Sequence, residues 1–105
     1  MTETAGPTDS QLAAAEMRTL VGEIARALVD NTDAVLVEVL AEQDSTVLRL
    51  HVAPSDIGKV IGKQGRTARS LRTILSAASM KLRHRFALDI VEADRSDLDQ
   101  EADND

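Results

Sequence analysis

From Gly58 to Arg66 the chain reads Gly-Lys-Val-Ile-Gly-Lys-Gln-Gly-Arg, and three of its five glycines fall within those first eight residues. Glycine admits positive φ and lets a ligand approach the backbone without meeting a Cβ. Gly62 and Gly65 bracket Lys63-Gln64 in what reads as a tight turn with outward-facing N–H groups, and a helix is expected to follow directly. The unpaired amides and positive dipole end of that helix would then lie at the turn, a setting that suits a phosphate. Arg66 strengthens the reading. A cation in the first turn opposes the dipole at a cost of about a few tenths of a kcal/mol, and a local rule broken beside a glycine turn often marks function. Arg66, Arg69 and Arg72 recur every three residues and can line one side of the helix within about two turns. A helix–turn–helix with a merely solvated basic face would show the same spacing.

Other phosphate motifs fail on spacing. The Walker pattern needs four residues between its first glycine and Gly-Lys-Ser/Thr. Here three separate Gly58 from Gly62, and Gln64 follows Lys63 where a hydroxyl would meet magnesium. No Gly-x-Gly-x-x-Gly triplet occurs, so nucleotide hydrolysis is not expected. There is no cysteine, and the two histidines, His51 and His84, lie far apart, so neither a disulfide nor a metal site is expected. Ser, His and Asp are scattered without activating context, and no cofactor or enzymatic activity is anticipated.

The elements that must position the turn follow from periodicity. Residues 1–10, with Gly6 and Pro7, read as a disordered leader. Met17, Leu20, Val21, Ile24 and Leu28 form the apolar stripe of a helix starting near Ser10 and ending at Asn31, a residue that tolerates a left-handed cap. Val35, Val37 and Val39 alternate along a strand over 34–41. After a turn at 42–45, Leu48, Leu50 and Val52 share one face of a second strand, with Arg49 and His51 on the other. Ser55 is placed to cap a short helix, 56–61, bearing Ile57, Val60 and Ile61. A longer helix over 67–83 turns Leu71, Ile74, Leu75, Ala78 and Leu82 inward. Phe86, Leu88 and Ile90 alternate along a third strand, where Asp89 is read as solvent-facing. The order α-β-β-α-α-β implies an α+β sandwich, a three-stranded sheet covered on one face by helices.

Charge is distributed unevenly. The chain has 105 residues and a net charge of −6, which alone would argue against a polyanionic ligand. Residues 54–91, however, hold eight cationic side chains against Asp56 and Asp89, while both flanking segments are acidic. Local potential, not chain-averaged charge, attracts a polyanion. Apolar residues make up 43% of the chain, enough for one globular domain. Phe86 is the single aromatic, so recognition by stacked rings is hard to build.

The segment Ile57 to Arg66, within this element order, resembles a type II KH domain with Gly62-Lys63-Gln64-Gly65 as its GxxG loop. The likeness covers residues 11–92. Ala27-Leu28-Val29-Asp30-Asn31 and Leu71-Arg72-Thr73-Ile74-Leu75 resemble the small stand-alone bacterial KH proteins of the KhpA family. The resemblance implies that the loop clamps the sugar–phosphate backbone of about four unpaired nucleotides of single-stranded RNA. Lys63 and the amides of Gln64 and Gly65 would contact phosphate. Ile57, Val60 and Ile61, with Leu48 or Leu50, would form an apolar floor for bases, although core packing is the alternative for all of them and the plainer role for the two leucines. Lys59 would add to the basic surface, and Arg66 and Arg69 would offer forked donors to phosphate or base edges. An RNA chaperone or post-transcriptional regulator is the implied role. The alternative is a protein-interaction module working through a homodimer, or a heterodimer with a larger KH-domain RNA-binding protein, with assembly depending on aliphatics around Ile61.

Lys81, Arg83, His84 and Arg85 form a second basic cluster, which extends an RNA path or simply answers the dipole at a helix C-terminus. His51 reads as a structural surface histidine. Residues 93–105 read as an acidic disordered tail, and a sharper expectation has the tail fold back on the basic block and compete with RNA. No apolar run approaches membrane-span length and no signal-like stretch opens the chain, so cytoplasmic residence is expected.

Overall fold

A computed structural model describes Gly6 and residues 8–92. The elements run α1 (Asp9–Leu28), β1 (Leu36–Ala41), β2 (Ser45–His51), α2 (Ile57–Ile61), α3 (Arg66–Leu82) and β3 (Arg85–Ile90). Single 3-10 turns stand at Thr32–Ala34, Pro54–Asp56 and Lys63–Gly65. The element order is the expected one. The acidic segment 93–105, with its expected fold-back, lies outside the described residues.

Helix α1 starts one residue before Ser10 because a capping box fixes it. Gln11 N–H donates to Thr8 Oγ1 at 3.1 Å, and Thr8 N–H donates to Gln11 Oε1 at 2.9 Å. Asp9 and Ser10, expected in the leader, are therefore helical; of the rest of that leader only Gly6 and Thr8 are described. Ala13, Ala14, Val21, Gly22 and Ala25 are buried, and these mostly small residues let the helix approach the sheet closely. Its C-terminus differs from the expectation at Asn31. The chain leaves the helix at Val29 in extended conformation, and Asn31 has φ −96° rather than a left-handed angle. Extended backbone here carries the amides of Asp30 and Asn31 to the carboxylate of Asp56, which removes the need for a left-handed cap.

The sheet has the order β1-β2-β3, with β1 antiparallel and β3 parallel to β2. A parallel neighbour requires a crossover, and residues 52–84, with α2 and α3, supply it. Strand β1 begins at Leu36, since the 3-10 turn at Thr32–Ala34 takes the residues before it. Val37, Leu48, Leu50, Phe86, Leu88 and Ile90 are buried on the face that meets the helices. The outer face mixes charged residues with the aliphatic Leu36, Leu40, Val47 and Ala87. His51 contacts Glu38 at 2.6 Å, and Arg49 pairs with Asp89 at 3.1 Å in register across the parallel strands. Ala68, Leu71 and Leu75 bring α3 onto the sheet; Ile74, expected inward, lies to one side of that stripe and stays 45% exposed. No helix among the described residues is long and apolar enough to cross a membrane.

Candidate nucleic-acid interface

The loop hangs between α2 and α3, so its position depends on what holds α2. That helix has only five residues and no side-chain cap; Ser55 does not cap it. Asp56 instead turns inward and is 1% exposed. Its carboxylate accepts from Asp30 N–H at 3.2 Å and Asn31 N–H at 3.0 Å, tying the start of α2 to the end of α1. The Asn31 amide does most to hold the carboxyl below its ordinary value. Burial opposes that shift, and the Asp30 amide and Lys59 reinforce it.

Lys59 Nζ stands 3.4 Å from Asp56 and 3.4 Å from Asp30. Asp30, above all, raises its pKa above the ordinary lysine value. Lys59 therefore differs from its expected part in an open basic surface: two carboxylates already offset its charge. Val60 needs a second correction. It is 0% exposed, as are Leu48 and Leu50, so all three belong to the core and present no surface to a base. Ile57 and Ile61 are half-buried beside the loop and are the apolar surface left to it.

Gly62 ends α2 at φ 80°, Gln64 has φ 57° and Gly65 φ 74°. Gly62 N–H donates to Gly58 C=O at 2.8 Å, and Gly65 N–H donates to Gly62 C=O at 3.0 Å. The Gly65 amide, expected to face phosphate, is thus engaged inside the turn. The two glycines are required for different reasons. A Cβ on Gly62 would drive into the Thr67 side chain and come within 2.8 Å of its nitrogen, whereas one on Gly65 would meet nothing within 4 Å. Gly62→Ala should cost roughly 3 kcal/mol or more, from clash and backbone strain together. Gly65→Ala should cost about 1–2 kcal/mol from backbone conformation alone. Urea unfolding of the two variants checks the ordering, and equal losses would contradict it.

Lys63 and Gln64 are exposed at the tip. Arg66 Nη2 donates to Gln64 Oε1 at 3.1 Å, which orients both side chains across the turn. Arg66 and Arg69 are exposed and have no carboxylate partner among the described residues. Arg72 leaves their row. Its Nε and Nη2 donate to Leu88 C=O at 3.4 and 3.3 Å, fastening α3 to β3. The two long helices begin differently. Helix α1 carries Asp9 and a full capping box, whereas α3 starts on Gly65 with neither a side-chain cap nor an acid in its first turn. Cations and an uncapped helix start therefore share one exposed corner, a surface able to take an anion.

Sequence reasoning missed Asp56, whose partners lie 25 and 26 residues away. Its only hint is position, as the last acid before an acid-free stretch that ends at Asp89.

Comparison with known proteins agrees with this geometry. Residues 18–90 match the family described as KhpA/KhpB, KH domain. A protein of Caldanaerobacter subterraneus subsp. tengcongensis called RNA-binding protein KhpA is 49% identical over 75 residues, 71% of this chain and 100% of the relative. Its namesake in Halalkalibacterium halodurans is 50% identical over 76 residues, 72% of this chain and all of that protein. The one in Aquifex aeolicus is 46% identical over 76 residues, 72% of this chain and 96% of the relative. With the matched span running from α1 through β3 and enclosing the glycine loop, the chain belongs to the KhpA/KhpB family of KH-domain proteins.

Proposed function

We propose that the chain binds single-stranded RNA at the corner formed by α2, the Gly62–Gly65 loop and the start of α3. The observation that carries this reading is the loop itself. Its positive-φ backbone lifts Lys63 and Gln64 into solvent beside Arg66, Arg69 and the uncapped end of α3. Lys63 and the Gln64 amide meet phosphate, Arg66 and Arg69 reach a neighbouring phosphate or a base edge, and Ile57 and Ile61 give bases an aliphatic surface. The names of the relatives, RNA-binding protein KhpA, support the same ligand. The role that fits is non-catalytic, an RNA chaperone or post-transcriptional regulator in the cytoplasm.

Fluorescence anisotropy on mixed-sequence single-stranded RNA across a salt series tests the proposal. With about four phosphates neutralised, affinity should fall roughly fifty-fold between about 50 and 200 mM salt, at about −0.7 per contact. No binding, or binding indifferent to salt, would count against an electrostatic clamp. Leu36 and Ile74, exposed at 56% and 45%, support a second reading in which a homodimer or a larger KH-domain protein covers them. Sedimentation of the native chain, alone and with such a partner, addresses that separately.

A further inference from the structure

Between Asp56 and Asp89 the sequence holds eight cationic residues and no acidic one, and the fold lays that stretch out along α3. At one end stands the glycine loop. At the other, about 25 Å away by the rise of a 17-residue helix, the α3–β3 connection carries Lys81, Arg83, His84 and Arg85. The interior uses only one of these four. His84 Nε2 lies 2.7 Å from the hydroxyl of Thr46, itself buried, and the His84 ring meets Phe86 edge-on. Lys81, Arg83 and Arg85 are exposed and have no carboxylate partner among the described residues.

The connection ends α3 in an ordinary left-handed cap but fills it with an unusual residue. Arg83 takes φ 56° at the end of α3, a position where glycine is the usual occupant. Only two non-glycine residues among those described have positive φ, Gln64 in the loop and Arg83 here. The strained backbone rests on a firm base, since His84 N–H donates to Ser79 C=O at 3.2 Å and Phe86 N–H to Ser79 Oγ at 2.9 Å. Arg83 and Arg85 line one shallow groove with Ser79, Met80, His84 and Asp44, the single acid there. Met80 is 83% exposed, a soft apolar surface beside two guanidinium groups. Guanidinium planes and thioethers suit unstacked bases, and forked donors suit phosphates.

We infer that this groove is a second RNA subsite, reached by a strand that leaves the glycine loop and runs along the acid-free face of α3. The inference rests on the proposed function. It adds that RNA longer than the loop's four nucleotides gains affinity from Arg83, Arg85 and Met80.

Two RNA probes, of about 5 and about 15 nucleotides, separate the sites. The variant is Arg83→Gly with Arg85→Gln. Glycine relieves the positive φ, so the variant's melting temperature should equal or exceed the native value, a gain of roughly 3–6 °C being the scale expected. Affinity for the long probe should nevertheless drop about tenfold, with its salt slope shallower by about 1.4. Affinity for the short probe should stay at the native value. Unchanged affinity and slope on the long probe would overturn the inference, leaving the cluster as an answer to the helix dipole. Equal losses on both probes would overturn it too, by pointing to an effect through the fold. The loop reading is judged on the short probe alone, which does not reach the far groove, so the two can fail independently.

Discussion

Replacing Lys63 and Gln64 together with aspartate should reduce affinity for single-stranded RNA at least about a hundredfold, while the thermal midpoint moves by no more than a few degrees. The size follows from charge. In the proposed mode one cation that would meet phosphate is lost, and two anions are set at the tip of the turn, where each would repel an RNA backbone. The small effect on folding follows from position. Both side chains are exposed, and the φ of 57° at residue 64 is one that aspartate tolerates better than most residues. Anisotropy titration with circular dichroism of the same samples measures both. A folded variant that binds like the native chain would move any RNA site away from the loop.

The second large effect is expected at Asp56, which touches no ligand in the proposed mode. Asp56→Ala would leave two backbone amides, of Asp30 and Asn31, without their acceptor at a position that is 1% exposed, and Lys59 would keep one carboxylate of two. The melting temperature should fall by roughly 10 °C or more. Because Asp56 anchors α2, RNA affinity should fall as well, even well below the new midpoint. The same carboxylate predicts a pH dependence. Its pKa in the folded chain lies below the ordinary 3.8, so on acidification the unfolded chain takes up this proton first. The stabilisation is complete above the ordinary value and is lost as pH falls through the lower, folded one. Asp56→Asn lacks that titration, so the native advantage in melting temperature over Asp56→Asn should be full at about pH 5 and shrink towards about pH 2.5. An advantage that stayed constant over that range would show that the carboxylate is not held as described.

Much of this was legible in the sequence wherever information is local. Period-two alternation marked Leu48 and Leu50, then Phe86, Leu88 and Ile90, as the sheet's inner face, and these are buried. The glycine pair marked a turn because only backbone freedom explains such spacing, and Gly62 and Gly65 do take positive φ. What escaped depends on partners far along the chain. Lys59 looked like one more free cation, since nothing nearby in sequence reveals that Asp30 will lie 3.4 Å from it. Val60 looked available because a five-residue helix is too short for periodicity to separate its inner from its outer face. Asn31 looked like a left-handed cap, but the Asp56 carboxylate offers its amide a better partner. These three misses trace to the same buried carboxylate or to the core beneath it.

The parallel pairing of β2 with β3 carries a consequence for the order in which the molecule becomes competent. Helix α1 and the β1–β2 hairpin use contacts between near neighbours and can form as soon as they leave the ribosome. The glycine loop and α3 sit inside the crossover, and α3 finds its main partner only when Phe86, Leu88 and Ile90 arrive to complete the sheet. A nascent chain therefore presents its acidic first half before the basic strip is held in any shape. The loop and the basic strip take their final shape only once the last strand has joined the sheet.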